Sequence, residues 1–268
     1  MEVLILGAGT MGRGLARALA AKDCTIYLYD PNPAARTAAT QALAGEFEAQ
    51  KCRWLEKLAV PPDCVAVIEA VPENLSLKKS VLAELAATLP EATVVATNTS
   101  ALSVHALAAE LPYRARFLGW HFFNPPTHLP LVEVIPTSFT APAVVEWSER
   151  FLTSVGKVPL RAPDLPGFIV NRIARPYYVE ALRLVESGQT TPEVVDKLME
   201  GLGFRMGPFR LMDLIGIDTN YAVTQAIWEG LGYPPRFRPS WLQAQKIAAG
   251  QLGRKTRQGF YTYGSPDS

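Results

Sequence analysis

A glycine-rich turn near the start of the chain is the feature that most constrains its fold. The apolar run Val3–Leu6 leads directly into Gly7, Gly9 and Gly12, spaced as G-x-G-x-x-G, and a helical pattern begins at Met11. In a strand–turn–helix unit the first glycine permits the tight turn, the second lets the backbone approach a pyrophosphate, and the third lets the helix pack on the strand. The helix N-terminus then faces the phosphates. This context predicts a dinucleotide-binding fold.

Short strand-like runs alternate with helical patterns over the first 160 residues. Strands are predicted at Val3–Leu6, Thr25–Tyr29, Val65–Val71, Thr93–Thr97, Phe117–Phe123, Leu131–Ile135 and Lys157–Arg161, and helices at Met11–Lys22, Leu75–Leu89 and Val104–Glu110. Such alternation is typical of βαβ units and predicts a mostly parallel, doubly wound Rossmann-type sheet with both faces covered.

The clearest boundary follows the last of these strands, where Pro163, Pro166 and Gly167 interrupt the pattern. Beyond it the sequence is helical throughout. Helices are predicted at Phe168–Glu186, Pro192–Glu200, Pro208–Gly216, Thr219–Gly230 and Ser240–Ala249. We therefore expect two domains, a Rossmann domain at residues 1–165 and a smaller all-helical domain at residues 166–268.

Composition narrows the class of protein. A net charge of +1 argues against a nucleic-acid partner, which would favour a basic surface. Cys24, Cys52 and Cys64 lack metal-ligand spacing, so we expect buried, reduced thiols and no metal site. No uncharged apolar run approaches the ~18–20 residues of a membrane span, and the N-terminus does not resemble a signal peptide. These features predict a cytoplasmic protein without a membrane partner.

Asp30 ends the second predicted strand, 18 residues after Gly12, close to the expected spacing of about 20. A carboxylate there would accept hydrogen bonds from the adenosine ribose hydroxyls and repel a 2′-phosphate, which favours NAD over NADP. Alternatively, Asp30 forms an Asx turn before Pro31. With the glycines in place, the ribose role is the better interpretation.

A histidine and a carboxylate lie on adjoining predicted strands. Alternation places His121 and Glu133 where they can stand side by side, because residues 124–130 join the two strands. Imidazole transfers protons near neutral pH, and a neighbouring carboxylate fixes its tautomer. The alternative is a core histidine satisfied by a carboxylate. Catalytic groups gather at the carboxyl ends of strands in such a sheet, which favours the catalytic interpretation.

Ser100 follows the strand Thr93–Thr97 at the same edge, where its hydroxyl could bind a reacting oxygen. Alternatively, it forms a helix cap or an ST-turn, although Ser103 is better placed for the cap. A Ser-His-Glu hydrolase would require a G-x-S-x-G elbow, which the sequence around Ser100 does not supply.

A set of motifs in a fixed order now resembles the 3-hydroxyacyl-CoA dehydrogenase family. The resemblance extends from residue 7 to residue 261, essentially the whole chain. Its motifs are Gly7–Gly12, Ile68–Asn74, Asn98–Ser100, His121–Pro125, Leu131–Ile135, Pro166–Arg172, Asp213–Asp218, Gly253–Thr256 and Gly259–Tyr261.

The resemblance implies an NAD-dependent dehydrogenase of an acyl-CoA substrate, dimeric through its helical domain. It implies that His121 is the general base, that Glu133 orients it, that Ser100 binds the substrate oxygen and that Asn171 positions the substrate. The cofactor-binding set that we expect comprises Gly7, Gly9, Thr10, Met11, Gly12, Asp30, Glu73, Lys78, Ser100, Asn124 and Lys255. By charge alone, Lys78 and Lys255 would be solvated surface residues.

The chain departs from the family on the acyl-CoA side. The family has a long helical hairpin between the second and third strands that contributes to CoA recognition, whereas residues 31–63 are shorter. The family also has Met-Lys where this chain has Leu129-Pro130. Lys51, Arg53 and Lys57 could meet the CoA phosphates or form a solvated helix face. Two alternatives therefore stay open: a dehydrogenase of a free 3-hydroxy acid, such as a sugar acid or a carnitine-like compound, and a non-catalytic NAD-binding protein.

Overall fold

The computed structural model describes residues 1–264. These residues form two compact units, Met1–Phe168 and a second unit from Ile169 onward. The boundary expected at 165/166 from the prolines stays a prediction. The two units are described separately below.

The first unit is built on a sheet of eight strands in the described part of the chain, in the order β3-β2-β1-β4-β5-β6-β7-β8. All neighbouring strands are parallel except β6 and β7. The strands are β1 (Glu2–Leu6), β2 (Thr25–Tyr29), β3 (Cys52–Trp54), β4 (Cys64–Glu69), β5 (Val94–Thr97), β6 (Phe117–Phe122), β7 (Leu131–Ile135) and β8 (Val158–Arg161).

Six helices flank this sheet in the first unit as described. They are α1 (Thr10–Ala20), α2 (Pro33–Ala42), α3 (Ala44–Glu48), α4 (Leu75–Leu85), α5 (Val104–Ala108) and α6 (Pro142–Ser154), with a 3₁₀ turn at Arg114–Arg116. The predicted fold class, a Rossmann-type sheet followed by a smaller helical domain, is confirmed.

Four elements, β3, α2, α3 and α6, were absent from the sequence-based prediction. The start of α2 carries a clear signal, because Asn32 accepts a 2.9 Å hydrogen bond from the Ala34 amide and Pro33 occupies the first turn. β3 has only three residues, too few for a two-residue periodicity to emerge. The segment between β2 and β4 is therefore compact and structured, although it is short.

The core of the first unit lies between the sheet and the helices. Strands β1 and β4 are apolar and buried, as expected for parallel strands covered on both faces. On β6, Trp120 is fully buried and stacks on Phe151 of α6 at 5.4 Å between ring centroids. Burying a large apolar side chain contributes ~1.5–3 kcal/mol. This packing holds the antiparallel strand pair against the helices.

The second unit contains five α-helices within the described residues. They are α7 (Val170–Glu186), α8 (Pro192–Gly201), α9 (Pro208–Ile215), α10 (Ile217–Gly230) and α11 (Trp241–Ala248), with 3₁₀ turns at Pro235–Phe237 and Arg254–Thr256. None of the helices in the described part of the chain combines the length and apolarity that a membrane crossing requires.

Two buried aspartates organise the second unit. Asp213 in α9 accepts hydrogen bonds from the amides of Phe260 and Tyr261 at 2.9 and 3.0 Å and from the Tyr263 hydroxyl at 2.9 Å. Burial and this carboxylate raise the pKa of Tyr263 to about 12, so the phenol remains a donor at neutral pH. Asp196 in α8 binds the start of α9 in the same way, through the Phe209 amide at 2.9 Å.

We expect Asp213→Asn to destabilise the protein by about 3 kcal/mol. The amide keeps the shape of the side chain but loses the charge, and its NH₂ group faces backbone donors instead of accepting from them. Denaturant unfolding followed by circular dichroism measures the change. The control is Asp218→Asn, because the Asp218 carboxylate is partly exposed and contacts Lys255. An equal, small loss in both variants would contradict the structural role of Asp213.

Candidate active site

The glycine turn at the end of β1 has the geometry that a dinucleotide requires. Gly7 has a φ of 97°, and a Cβ on Gly12 would lie 1.8 Å from the Gly7 carbonyl oxygen. A side chain is therefore sterically excluded at Gly12. A Cβ on Gly9 would meet no atom within 4 Å, so the backbone there faces open space. Thr10 and Met11 begin α1 directly behind this opening.

Asp30, just after β2, is tied to the glycine turn. Its Oδ2 accepts a 2.8 Å hydrogen bond from the Ala8 amide, and its Oδ1 accepts a 2.9 Å bond from the Asn32 amide. The second bond is the Asx turn considered from the sequence, and the first places the carboxylate beside the predicted phosphate site. An approachable backbone at Gly9 next to a carboxylate at the end of β2 fits NAD.

The antiparallel pairing of β6 with β7 places His121 directly opposite Glu133. His121 Nδ1 lies 2.7 Å from Glu133 Oε2, and both residues are buried. The imidazole also packs edge-on against Phe123 at 4.6 Å between ring centroids and lies 5.6 Å from the ring of Phe168. Because Nδ1 bonds the carboxylate, Nε2 is the nitrogen that can exchange a proton with a ligand. The pair can therefore act as a general base.

The turn that carries Ser100 is built by Glu73. Glu73 Oε1 accepts hydrogen bonds from the Thr99 hydroxyl at 2.5 Å, the Ser100 amide at 2.9 Å and the Ala101 amide at 3.1 Å. Three hydrogen bonds to one carboxylate oxygen thus hold the loop after β5 in place. Glu73 fixes the backbone of Ser100, a role in addition to the cofactor contact that the resemblance implies.

The expectation from charge alone that Lys78 is a solvated residue is wrong. Its side chain is 1% exposed, and its ammonium donates to Glu69 Oε1 at 2.7 Å and to the Val71 carbonyl at 3.1 Å. Glu73 Oε2 lies 3.5 Å away. Lys78 is on α4, whose first turn packs over the end of β4, where two carboxylates offset the cost of burying the ammonium.

Sequence reasoning missed Glu69 and Asn98 as parts of this site. Glu69 Oε2 accepts a 2.6 Å hydrogen bond from the Thr97 hydroxyl, which links the ends of β4 and β5. Asn98 Oδ1 accepts a 2.9 Å bond from the Phe122 amide, which links β5 to the residue after His121. The signal for Glu69 was present, since it interrupts an apolar strand just as Glu133 does.

The remaining predicted site residues belong to other elements of the two units. Asn124 follows β6 in the loop to β7 and precedes a cis proline peptide. Asn171 is in the first turn of α7, in the second unit. Lys255 is also in the second unit, where its half-exposed ammonium lies 2.6 Å from Asp218. The structure thus brings together the glycine turn with Asp30, His121 with Glu133, and Ser100 with Glu73 and Lys78.

The basic residues of the short segment do not form a helix face. Lys51 follows α3 and donates to the Ala20 carbonyl at 3.1 Å and to Asp23 at 3.2 Å, while Arg53 lies in β3. The helical part of the solvated-face alternative is therefore wrong, although Arg53 and Lys57 are exposed, as that alternative expected. In place of the family's long hairpin, this segment contains the short helices α2 and α3.

Within residues 1–264 no cluster of three or more His, Cys, Asp or Glu side chains has the arrangement of a metal site. Cys24, Cys52 and Cys64 are buried and free. Burial raises the pKa of Cys52 and of Cys64 to about 11, so both remain protonated and unreactive at neutral pH.

Comparison with known families accounts for both units. The NAD-binding domain of 3-hydroxyacyl-CoA dehydrogenase matches residues 2–59 and 49–165, two segments that meet in the short connection after β2. The C-terminal domain of the same family matches residues 167–263.

Individual relatives agree with this assignment. The chain is 41% identical to 3-hydroxyadipyl-CoA dehydrogenase of Escherichia coli, over 97% of this chain and 58% of that protein. It is 38% identical to 3-hydroxybutyryl-CoA dehydrogenase of Mycobacterium tuberculosis, over 98% of both. The crystal structure of M. tuberculosis FadB2 superposes with a TM-score of 0.90 at 36% identity, over 98% of both chains.

The chain therefore spans little more than half of the E. coli relative but nearly all of the mycobacterial one. The predicted family is confirmed, and with it the class of enzyme, an oxidoreductase acting on CH–OH, and NAD as the cofactor. This chain belongs to the 3-hydroxyacyl-CoA dehydrogenase family.

Proposed function

We propose that this protein catalyses the reversible, NAD-dependent oxidation of an L-3-hydroxyacyl-CoA to the 3-oxoacyl-CoA. The observation that carries the proposal is the buried 2.7 Å contact between His121 and Glu133 at the edge of a dinucleotide-binding sheet. A bystander protein would have no need for this arrangement beside a preserved glycine turn.

In this mechanism His121 Nε2 removes the proton of the 3-hydroxyl group. Glu133, bonded to Nδ1, holds the ring in the productive tautomer and stabilises the imidazolium that forms. When bound, NAD⁺ would supply the hydride acceptor that the oxidation of C3 requires. A base positioned in this way contributes ~10²–10⁴ to the rate. In the reverse direction the imidazolium returns the proton to the oxygen.

Two further side chains are proposed to orient the substrate. The Ser100 hydroxyl donates to the 3-oxygen, and Glu73 supports this by fixing the backbone of Ser100. Asn171, half-buried at the start of α7, helps position the substrate. Both groups raise the reaction rate, because they limit the orientations of C3.

The cofactor is proposed to lie along the glycine turn. Gly7, Gly9 and Gly12 shape the turn for the pyrophosphate, and the start of α1 at Thr10 and Met11 supplies donors. Asp30 receives the ribose hydroxyls and disfavours a 2′-phosphate. The resemblance adds contacts to the cofactor from Glu73, Lys78, Ser100, Asn124 and Lys255.

The thioester is the part of the substrate that the named relatives share. One acts on 3-hydroxyadipyl-CoA and the other on 3-hydroxybutyryl-CoA, so both oxidise C3 of a CoA-linked chain and differ beyond it. We infer a CoA-linked substrate here too. We also infer a cytoplasmic location, supported by the three reduced thiols.

Rates of NADH oxidation with acetoacetyl-CoA and with free acetoacetate at equal concentration test this function. We expect fast turnover of the thioester alone. His121→Gln should lower that turnover at least about a hundredfold, the lower end of the contribution of a general base, and leave NADH binding unchanged. His128→Gln is the matched control, because that histidine is exposed and its side chain bonds only its neighbour Thr127 among the described residues.

The other outcomes distinguish the alternatives. Turnover of the free acid alone would identify a free 3-hydroxy acid dehydrogenase. NADH binding without turnover of either compound would identify a non-catalytic NAD-binding protein. Near-normal turnover by His121→Gln would remove this residue from the mechanism.

A homodimer formed through the helical domain is also proposed. Val194, Leu198 and Leu202 recur every four residues along α8 and its end, so they lie on one face of the helix, and all three are exposed. Phe204, two residues after Leu202, is also exposed, and so is Ile173 in α7 of the same unit. Exposed apolar side chains along one face of a helix are typical of a protein–protein interface.

We expect light scattering after gel filtration to give twice the mass of one chain. Leu198→Asp should give a monomer, because it would bury an unpaired charge in the interface. Val158→Asp replaces an equally exposed apolar residue on β8 and should leave the dimer intact. A dimer that survives Leu198→Asp at micromolar concentration would contradict the proposed interface.

A further inference from the structure

The segment that follows β8 ends in a residue with a strained backbone. This segment, residues 162–168, belongs to the first unit, of which Phe168 is the last residue. Phe168 has a φ of 46°, in the left-handed region, where the Cβ of an L-residue crowds the backbone. Glycine, asparagine and aspartate tolerate this region, whereas a bulky side chain adopts it only where the surrounding structure enforces it. Such residues are concentrated at functional sites, so the place of this side chain is informative.

A tight turn delivers the chain to Phe168. The Phe168 amide donates a 2.8 Å hydrogen bond to the Leu165 carbonyl, and Pro166 and Gly167 occupy the two central positions. Gly167 has a φ of 79°. Proline at the first central position and a positive φ at the second are what a type II turn requires. The turn therefore fixes the direction in which the backbone reaches Phe168.

The same segment is anchored to both sides of the candidate site. At its start, the Ala162 amide donates at 2.9 Å to the Val134 carbonyl of β7, the strand that carries Glu133. Further on, the Asp164 carboxylate accepts three hydrogen bonds at the start of α5, which follows the loop of Ser100. The donors are the Ser103 hydroxyl at 2.9 Å and the amides of Val104 and His105 at 3.0 and 2.7 Å. The backbone before Phe168 is thus held at two points within the first unit.

The side chain that this segment presents packs against His121. Phe168 is 3% exposed, and its ring centroid lies 5.6 Å from that of the imidazole, with the planes inclined at 54°. Phe123 packs edge-on against the same imidazole at 4.6 Å. Both separations lie in the range at which aromatic rings attract each other. The imidazole therefore has a carboxylate at Nδ1 and two aromatic rings beside it.

The two aromatic contacts complete what the carboxylate cannot do alone. A single hydrogen bond from Nδ1 to Glu133 fixes one point of the imidazole and leaves the tilt of its plane free. Packing against a ring restricts that tilt, and an apolar neighbour offers water no hydrogen bond. Phe123 is two residues from His121 on the same stretch of chain, whereas Phe168 comes from a separate segment that needs a turn and a clamp to reach it.

We propose that Phe168 is a positioning residue for His121. Its ring sets the tilt of the imidazole and excludes water from it, so that Nε2 keeps the direction in which it exchanges a proton with the substrate. This inference rests on the proposed function, in which His121 is the general base. Phe168 takes no part in proton transfer itself. The strained backbone persists because it places the ring where the base needs it.

Replacement of the ring tests the proposal in steady-state assays with acetoacetyl-CoA and NADH. Phe168→Ala should lower kcat at least about tenfold, because a small displacement of a catalytic group removes much of its contribution of ~10²–10⁴. The KM for NADH should stay within about twofold, since ground-state binding is not altered. Phe168→Leu restores apolar bulk and should recover most of kcat. Phe168→Asn tolerates the left-handed backbone but lacks the ring, so it should behave like Phe168→Ala.

A purely structural role of Phe168 predicts a different pattern. It would lower Tm and the amount of folded enzyme, with kcat per folded molecule unchanged. A misplaced base also slows proton transfer relative to the other steps, so we expect a larger solvent deuterium isotope effect on kcat in Phe168→Ala. Leu43→Ala is the control, because Leu43 is fully buried at the junction of α2 and α3. It should lower Tm through the cavity that it leaves, with a wild-type kcat and isotope effect.

Hydrogen exchange at the imidazole gives a readout that needs no turnover. The sequence has three histidines, and His105 and His128 are exposed, so NMR of protein with isotope-labelled histidine distinguishes the ring of His121. We expect a slowly exchanging Nδ1–H of His121 in the wild type and in Phe168→Leu, and fast exchange in Phe168→Ala and Phe168→Asn. This pattern in a wild type that does not turn over acetoacetyl-CoA would support the positioning by Phe168 and contradict the proposed function.

Three results would overturn the inference itself. The first is a wild-type kcat in Phe168→Ala, or in Phe168→Asn where the alanine variant does not fold. The second is an exchange rate at His121 that neither variant changes, even if kcat falls. The third is a wild-type His121 without a protected ring N–H, because the imidazole would then not be shielded from water.

Discussion

The antiparallel pairing of β6 with β7 is the constraint on which the site depends. In an otherwise parallel sheet, this pair reverses the chain within a loop of eight residues and brings His121 opposite Glu133. A parallel neighbour would have required a long crossover connection and would have placed other residues at this edge. The stack of Trp120 on Phe151 fixes β6 from the opposite face. Alternation along one strand thus gives a buried apolar anchor and, one residue later, the histidine that we propose as the general base.

A polar network beneath the site makes the ends of three strands a single support. Glu69 joins β4 to Thr97 of β5 and to Lys78 of α4, and Asn98 joins β5 to the backbone of β6 next to His121. Buried ion pairs seldom add stability over apolar residues, because the desolvation cost is close to the Coulombic gain. Such a network instead fixes positions. Its hydrogen bonds hold in place the strand ends that carry Ser100 and His121.

The sequence predicted most of the first unit because its signals are local. Strand alternation, the glycine spacing and the position of Asp30 each depend on residues close together in the chain, and the His121–Glu133 pair needed only two strands joined by a short loop. The burial of Lys78 was not predictable in this way. It depends on Glu69 and Glu73 from outside its helix, and a lysine within an amphipathic pattern resembles a solvated residue until its partners are known. The same holds for Asn98, whose partner Phe122 is 24 residues away.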